Sequence, residues 1–195
     1  MIRTISKLFL FPFVLLISAF LISSTYAQNN QKKKPMVRVS PKASVSQTIG
    51  FTEVTINYSR PGVKERKIWG GLVPYNKVWR AGANEATKFT FSKDVRINGN
   101  KLPAGSYAFF TIPTEKEWTL IFNKAANQWG LDYAKNKDKD VLKIKVKPVE
   151  TNYQEWLEYT FSDMNVQKAG MKNSAVVNLV WDKLRIPFTV ETETK

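Results

Sequence analysis

Cysteine and histidine are both absent from the 195 residues. Without thiols there is no disulfide framework and no thiolate chemistry, and without imidazole the commonest metal ligand and the commonest acid-base group near neutral pH are missing. Long apolar runs are scarce too. One spans Leu8 to Ile22 and no second stretch is long enough to cross a membrane. A sustained helical period is lacking, as is any internal repeat. No cofactor and no metal is therefore expected, and stability has to come from packing.

The single apolar run is preceded by Arg3 and Lys7 and followed by Ser23-Ser24-Thr25-Tyr26-Ala27. This is a secretory signal pattern, with Thr25 and Ala27 at the small-residue positions before a cut after Ala27. The run is short for a spanning helix of roughly 20 residues, and no cysteine follows it to carry a lipid. The expectation is a chain that is periplasmic or secreted after cleavage near Ala27 and is not an integral membrane protein. Residues 28–37, with Lys32 to Lys34 ahead of Pro35, offer little to bury and read as a flexible basic leader. The remainder, 38–192, suits one domain.

What is present is charge and aromatic mass. The chain has 30 Lys and Arg against 16 Asp and Glu, for a net charge of +14, falling to +12 once Arg3 and Lys7 leave with the signal. Such a surplus attracts anions. Nucleic acid is not expected as the partner, because the lysines are scattered along strands rather than gathered with stacking aromatics. Small carboxylates or phosphates, acidic glycans and lipid headgroups fit better; the plainer alternative is a solvated basic surface. Six Trp and the eight Phe that follow Ala27 supply an aromatic core.

Periodicity of two dominates. Val54, Ile56 and Tyr58 alternate with Glu53, Thr55 and Asn57, and Thr87, Phe89 and Phe91 alternate with Lys88 and Thr90. Val95 to Ile97 leads into a turn at Asn98-Gly99-Asn100. Tyr107 to Ile112 is apolar on both faces and reads as an interior strand, and Trp118 to Phe122 follows. Leu142, Ile144 and Val146 alternate with Lys143, Lys145 and Lys147, which suits an edge strand. Trp156 to Phe161, Ala175 to Trp181, Ile186 to Val190 and a weaker Val166 to Met171 complete about nine or ten strands. The fold class expected is all-β, a single antiparallel β-sandwich, jelly-roll-like or immunoglobulin-like. One long connection, Asn123 to Asp140, is expected to hold a short helical turn and to pack its first half, with Trp129 and Tyr133, onto the domain.

Between two strands, residues 60–85 concentrate unusual chemistry. Gly62, Gly70, Gly71 and Gly82 allow positive φ or close approach, and Pro61 and Pro74 stiffen the turns. The ligand-binding candidates are Arg60, Arg66 and Arg80 for an anion, Trp69, Tyr75 and Trp79 as flat faces, and Asn84 and Glu85 for directional hydrogen bonds. The competing expectation is that Arg80 and Glu85 pair with each other or with backbone carbonyls to brace the connection. Trp118, Trp156 and Trp181 are read as core.

Function then divides three ways. The preferred expectation is a non-catalytic binding module for a small anion, acidic glycan or acidic peptide. A hydrolase would need Glu85 with Asp94, or Asp163 with Glu158, as a carboxylate pair; no serine sits in a nucleophile-elbow context. The third is a cell-envelope interaction protein pairing through a sheet edge.

The segment Lys77-Val78-Trp79-Arg80-Ala81-Gly82-Ala83-Asn84-Glu85-Ala86-Thr87 resembles an exported bacterial family known as domain of unknown function 2911. The likeness extends through Tyr58-Ser59-Arg60-Pro61, Arg66 to Tyr75, Leu102 to Tyr107 and Trp129-Gly130. The resemblance implies export and an uncharacterised domain, and supplies no catalytic residue. Ala81 and Asn76 depart from it, where threonine and glycine are common.

Overall fold

Residues 37–166 and 173–192 are described by a computed structural model. The signal and all of the leader before Val37 lie outside them. Strands form where alternation is clearest. In β2 (Thr52–Ser59) Val54 and Ile56 are buried while Glu53 and Asn57 face water, and β3 (Thr87–Phe91) buries Thr87, Phe89 and Phe91. Preceding them, β1 (Lys42–Ile49) alternates more weakly through Ala43, Val45 and Gln47, small or polar residues that gave little strand signal. β4 (Val95–Ile97) and β5 (Asn100–Leu102) are a short hairpin, and β6 (Gly105–Ile112), β7 (Trp118–Asn123) and β8 (Asp140–Val146) form the middle of the chain. The last two strands, β9 (Val149–Asn165) and β10 (Asn173–Thr192), are far longer than the rest.

All pairings are antiparallel. One sheet has the order β1-β2-β3-β6-β7-β8, the other β5-β4-β10-β9. Their facing sides share one core, in which Phe89, Phe109 and Phe122 of the first sheet meet Tyr159 and Phe188 of the second. The domain is thus an antiparallel β-sandwich of ten strands.

Two details differ from the sequence expectation. Ala175–Trp181 and Ile186–Val190 belong to one strand, because Asp182 adopts φ 55° and the register with β9 shifts on either side of it instead of ending there. Such irregularities bend a strand without breaking it. The weak candidate Val166 to Met171 falls on residues outside those described, apart from Val166, which lies beyond the end of β9.

The long connection does pack. Its eight-residue 3₁₀ segment, Asp132–Lys139, brings Tyr133 to 4.9 Å from the Phe110 ring on the outer face of β6. There Ala86, Ala108, Phe110 and Ile121 make a second, small cluster, which is why β6 is apolar on both faces. Asn123 fastens the two ends of the connection, its Nδ2 donating to the Asn136 carbonyl and to Asp140 Oδ1 at 2.7 Å each.

Candidate functional site

The connection from β2 to β3 is held against the sandwich by backbone bonds at several points. Residues 61–63 run along β9, where the Val63 amide donates to the Glu155 carbonyl at 2.9 Å and the Leu157 amide to the Pro61 carbonyl at 3.0 Å. Trp79 exchanges both backbone bonds with Thr111 at the end of β6, at 2.7 and 2.8 Å. Residues 84–86 pair with 128–130: the Ala86 amide donates to the Gln128 carbonyl and the Gly130 amide to the Asn84 carbonyl, both at 3.1 Å. Five of the eight non-glycine residues with positive φ lie in this connection, namely Lys64, Glu65, Asn76, Ala81 and Asn84. Left-handed backbone at a non-glycine residue costs roughly 1–2 kcal/mol, so surrounding contacts must hold it in place. Buried Ala81 illustrates how: its carbonyl accepts from Thr87 Oγ1 and from the Tyr159 hydroxyl, each at 2.9 Å.

Beneath the connection four of the six tryptophans meet. Trp69 stands edge-on to Trp118 at 4.9 Å and to Trp79 at 5.7 Å, and Trp79 stacks on Trp181 at 5.8 Å with 18° between planes. The indole N–H groups of Trp69 and Trp118 are buried without a hydrogen-bond partner among the described residues. Trp118 and Trp181 are core, as expected. Trp156 is not: it is 36% exposed, because it points outward from β9, with Lys64 Nζ 5.9 Å from its ring.

A recess of about 390 Å³ opens beside this cluster. Trp79 and Trp181 line it, together with the cations Lys64, Arg66, Lys77 and Arg80, and no aspartate or glutamate does so among the described residues. Arg80 is half-buried; burial pushes its pKa below the ordinary value, its Nε is buried with no partner, and no carboxylate of the described residues pairs with it. The pairing of Arg80 with Glu85 considered above is therefore absent. Glu85 is clasped by Arg38, whose Nη1 and Nη2 donate to its two carboxylate oxygens at 2.6 and 2.8 Å, with Lys42 Nζ 3.8 Å away. The Arg38 guanidinium holds the Glu85 pKa down at about 2.

Of the eight sequence candidates, the recess gathers Arg66, Trp79 and Arg80. Arg60 instead braces β9, its Nε donating to the Leu157 carbonyl at 2.8 Å and its Nη2 lying 3.3 Å from Glu158. Arg66 lines the recess while donating to the Gly62 and Val63 carbonyls at 2.6 and 3.0 Å. Trp69 lies within the indole cluster, Tyr75 packs over Gly70, and Asn84 Nδ2 reaches the Ser40 carbonyl at 3.4 Å. Arg38, Lys64 and Lys77 were missed. Arg38 lies 47 positions from Glu85 in an irregular segment, and nothing local marks the pairing.

Carboxylates weighed for hydrolysis have other partners. Asp94 sits past the far end of β3, accepting from the Ala104 amide at 2.8 Å, and Glu158 is engaged by Arg60. Among the described residues no group of three or more acidic side chains is placed to hold a metal ion, and no helix is long and apolar enough to cross a membrane.

A family model described as Protein of unknown function (DUF2911) matches residues 40–190. The chain belongs to that family. No curated protein and no solved structure matches it.

Proposed function

We propose that this member of the family is an exported, non-catalytic binding module whose recess takes a small anion, a carboxylate or phosphate, carried on an apolar body. The observation that carries this reading is Arg80. A half-buried guanidinium has given up part of its hydration and gained no carboxylate in return, and buried charge is costly unless paired. A ligand anion supplies the missing partner, in the fork geometry that arginine favours. Lys64, Arg66 and Lys77 add attraction, and Trp79, backed by the buried Trp181 on which it stacks, meets the apolar body. The recess volume of about 390 Å³ suits a small molecule. Export rests on the signal pattern of residues 1–27.

Glu85 weighs against hydrolysis. A carboxyl held at a pKa of about 2 is ionised near neutrality and has no proton to donate as a general acid.

The test is a thermal-shift screen against aromatic and branched carboxylic acids and phosphate monoesters, comparing the wild type with Arg80→Met, which keeps the methylenes and removes the charge. At a hundredfold excess over Kd a true ligand stabilises by about 2.7 kcal/mol, a rise of roughly 5–10 °C. The rise should vanish in a variant that melts close to the wild type. If no acid shifts the wild type and Arg80→Met melts far lower, Arg80 is a brace and the reading fails.

A further inference from the structure

A second concavity, of about 700 Å³, shares no lining residue with the recess. Its base is the outward side of the six-stranded sheet. There the register sets Ser44 opposite Asn57 and Asn57 opposite Lys88 in one row across β1, β2 and β3. One wall is the 126–129 stretch of the long connection, tied to that row by Lys88 Nζ, which donates to Asn127 Oδ1 at 3.3 Å. Trp129 belongs to this wall. Its backbone is fixed by the pairing of residues 84–86 with 128–130, yet its side chain joins neither hydrophobic cluster and the residue is 46% exposed. On a rigid backbone a large exposed indole spares a ligand the cost of ordering the loop, leaving only its own rotamer freedom to be lost.

Two amides beside it keep hydrogen-bonding capacity in reserve. Among the described residues the side-chain amide of Asn57 makes no hydrogen bond, and neither amide hydrogen of Asn127 has a partner. A primary amide presents a donor and an acceptor side by side, the match for two neighbouring hydroxyls. Lys88 supplies charge beyond its bond to Asn127, and the exposed Lys42 adds to it from 3.8 Å beside Glu85, the rim carboxylate that Arg38 already occupies. The backbones of β2, β3 and residues 84–86 are paired on both sides or with 128–130, which leaves them no ladder to offer a peptide.

We infer that this groove is a saccharide site for an acid-bearing sugar. Trp129 covers the apolar face of a pyranose ring, Asn57 and Asn127 hold its hydroxyls, and Lys88 with Lys42 holds its carboxylate. The inference does not depend on the anion recess.

Titration calorimetry of the full chain with trigalacturonate, maltotriose and a hexaglutamate peptide tests it. The uronate trimer is expected to bind with a Kd of millimolar or tighter and maltotriose at least tenfold more weakly. Trp129→Ala and, independently, Asn57→Ala should each weaken the uronate tenfold or more, and Lys88→Met should narrow the gap between acidic and neutral sugar. Arg80→Met should leave all three titrations unchanged, which separates this site from the recess. Asn57 lies on an exposed strand face, so its variant remains decisive if Trp129→Ala fails to fold. The inference is overturned by the absence of heat with trigalacturonate at millimolar concentration, by equal binding of hexaglutamate, or by folded Trp129 and Asn57 variants that bind like the wild type.

Discussion

Arg80 owes its place to a side chain that is missing elsewhere. A Cβ at Gly130 would lie 2.0 Å from Arg80 Cδ and 2.7 Å from the Asn84 carbonyl oxygen, so the arginine stem lies flat on glycine backbone and its head is carried to the recess. Gly130→Ala is expected to destabilise the domain by about 1–3 kcal/mol, the usual range for overpacking, as measured by urea unfolding. Both residues are conspicuous in the sequence; their contact across fifty positions is not, because it exists only once residues 84–86 pair with 128–130. Glu85 shows the same limit. Its chemistry was legible but its partner was not, since Arg38 precedes the first strand. The pairing carries a pH signature. The folded pKa of about 2 is below the ordinary 4.5, so the stabilisation is complete above about pH 4.5 and is lost as pH falls toward 2. Glu85 is 42% exposed, which screens the pair and keeps its worth to about 1 kcal/mol or less. Glu85→Gln should accordingly flatten the decline in melting temperature between pH 4.5 and 2, with little change at pH 7.

At the scale of elements, the connection between β2 and β3 behaves as part of the sandwich. Residues 61–63 act as a short extra strand on β9, covering the middle of an otherwise long edge. Hydrogen exchange checks this: the Val63 and Leu157 amides, bonded across that edge, should be protected far more than the Glu65 and Lys67 amides, which make no hydrogen bond among the described residues. The opposite sheet ends in β8, whose Lys143 and Lys145 pair with Asp140 at 2.9 Å and Glu117 at 2.8 Å. A lysine row of this kind discourages edge-to-edge association, which weighs against the envelope-pairing alternative at this edge. Strands with strong alternation, such as β2, β3 and β8, were legible because each buries one face. β10 was read as two strands, Ala175 to Trp181 and Ile186 to Val190, and only pairing with β9 carries the chain through Asp182-Lys183 between them.

For the whole molecule, composition carried further than pattern. With no cysteine to staple it, the chain relies on aromatic mass, and the ten strands do enclose a core rich in phenylalanine and tryptophan. The sheet order was beyond reach, since it depends on which partners are left once β4 and β5 cross to the second sheet. The sequence located the candidate site to one connection but not to one cavity: neighbours in sequence such as Trp79 and Arg80 stay together at the recess, whereas Arg60 and Glu85 are drawn to β9 and to Arg38. The tryptophan cluster has an optical consequence. Indoles about 5 to 6 Å apart exchange excitation among themselves, so Trp69, Trp79, Trp118 and Trp181 absorb as a coupled set rather than as four independent chromophores. Because Trp79 and Trp181 also line the recess, the ligand proposed there would disturb the emission of the whole set, a gauge of occupancy that needs no attached dye.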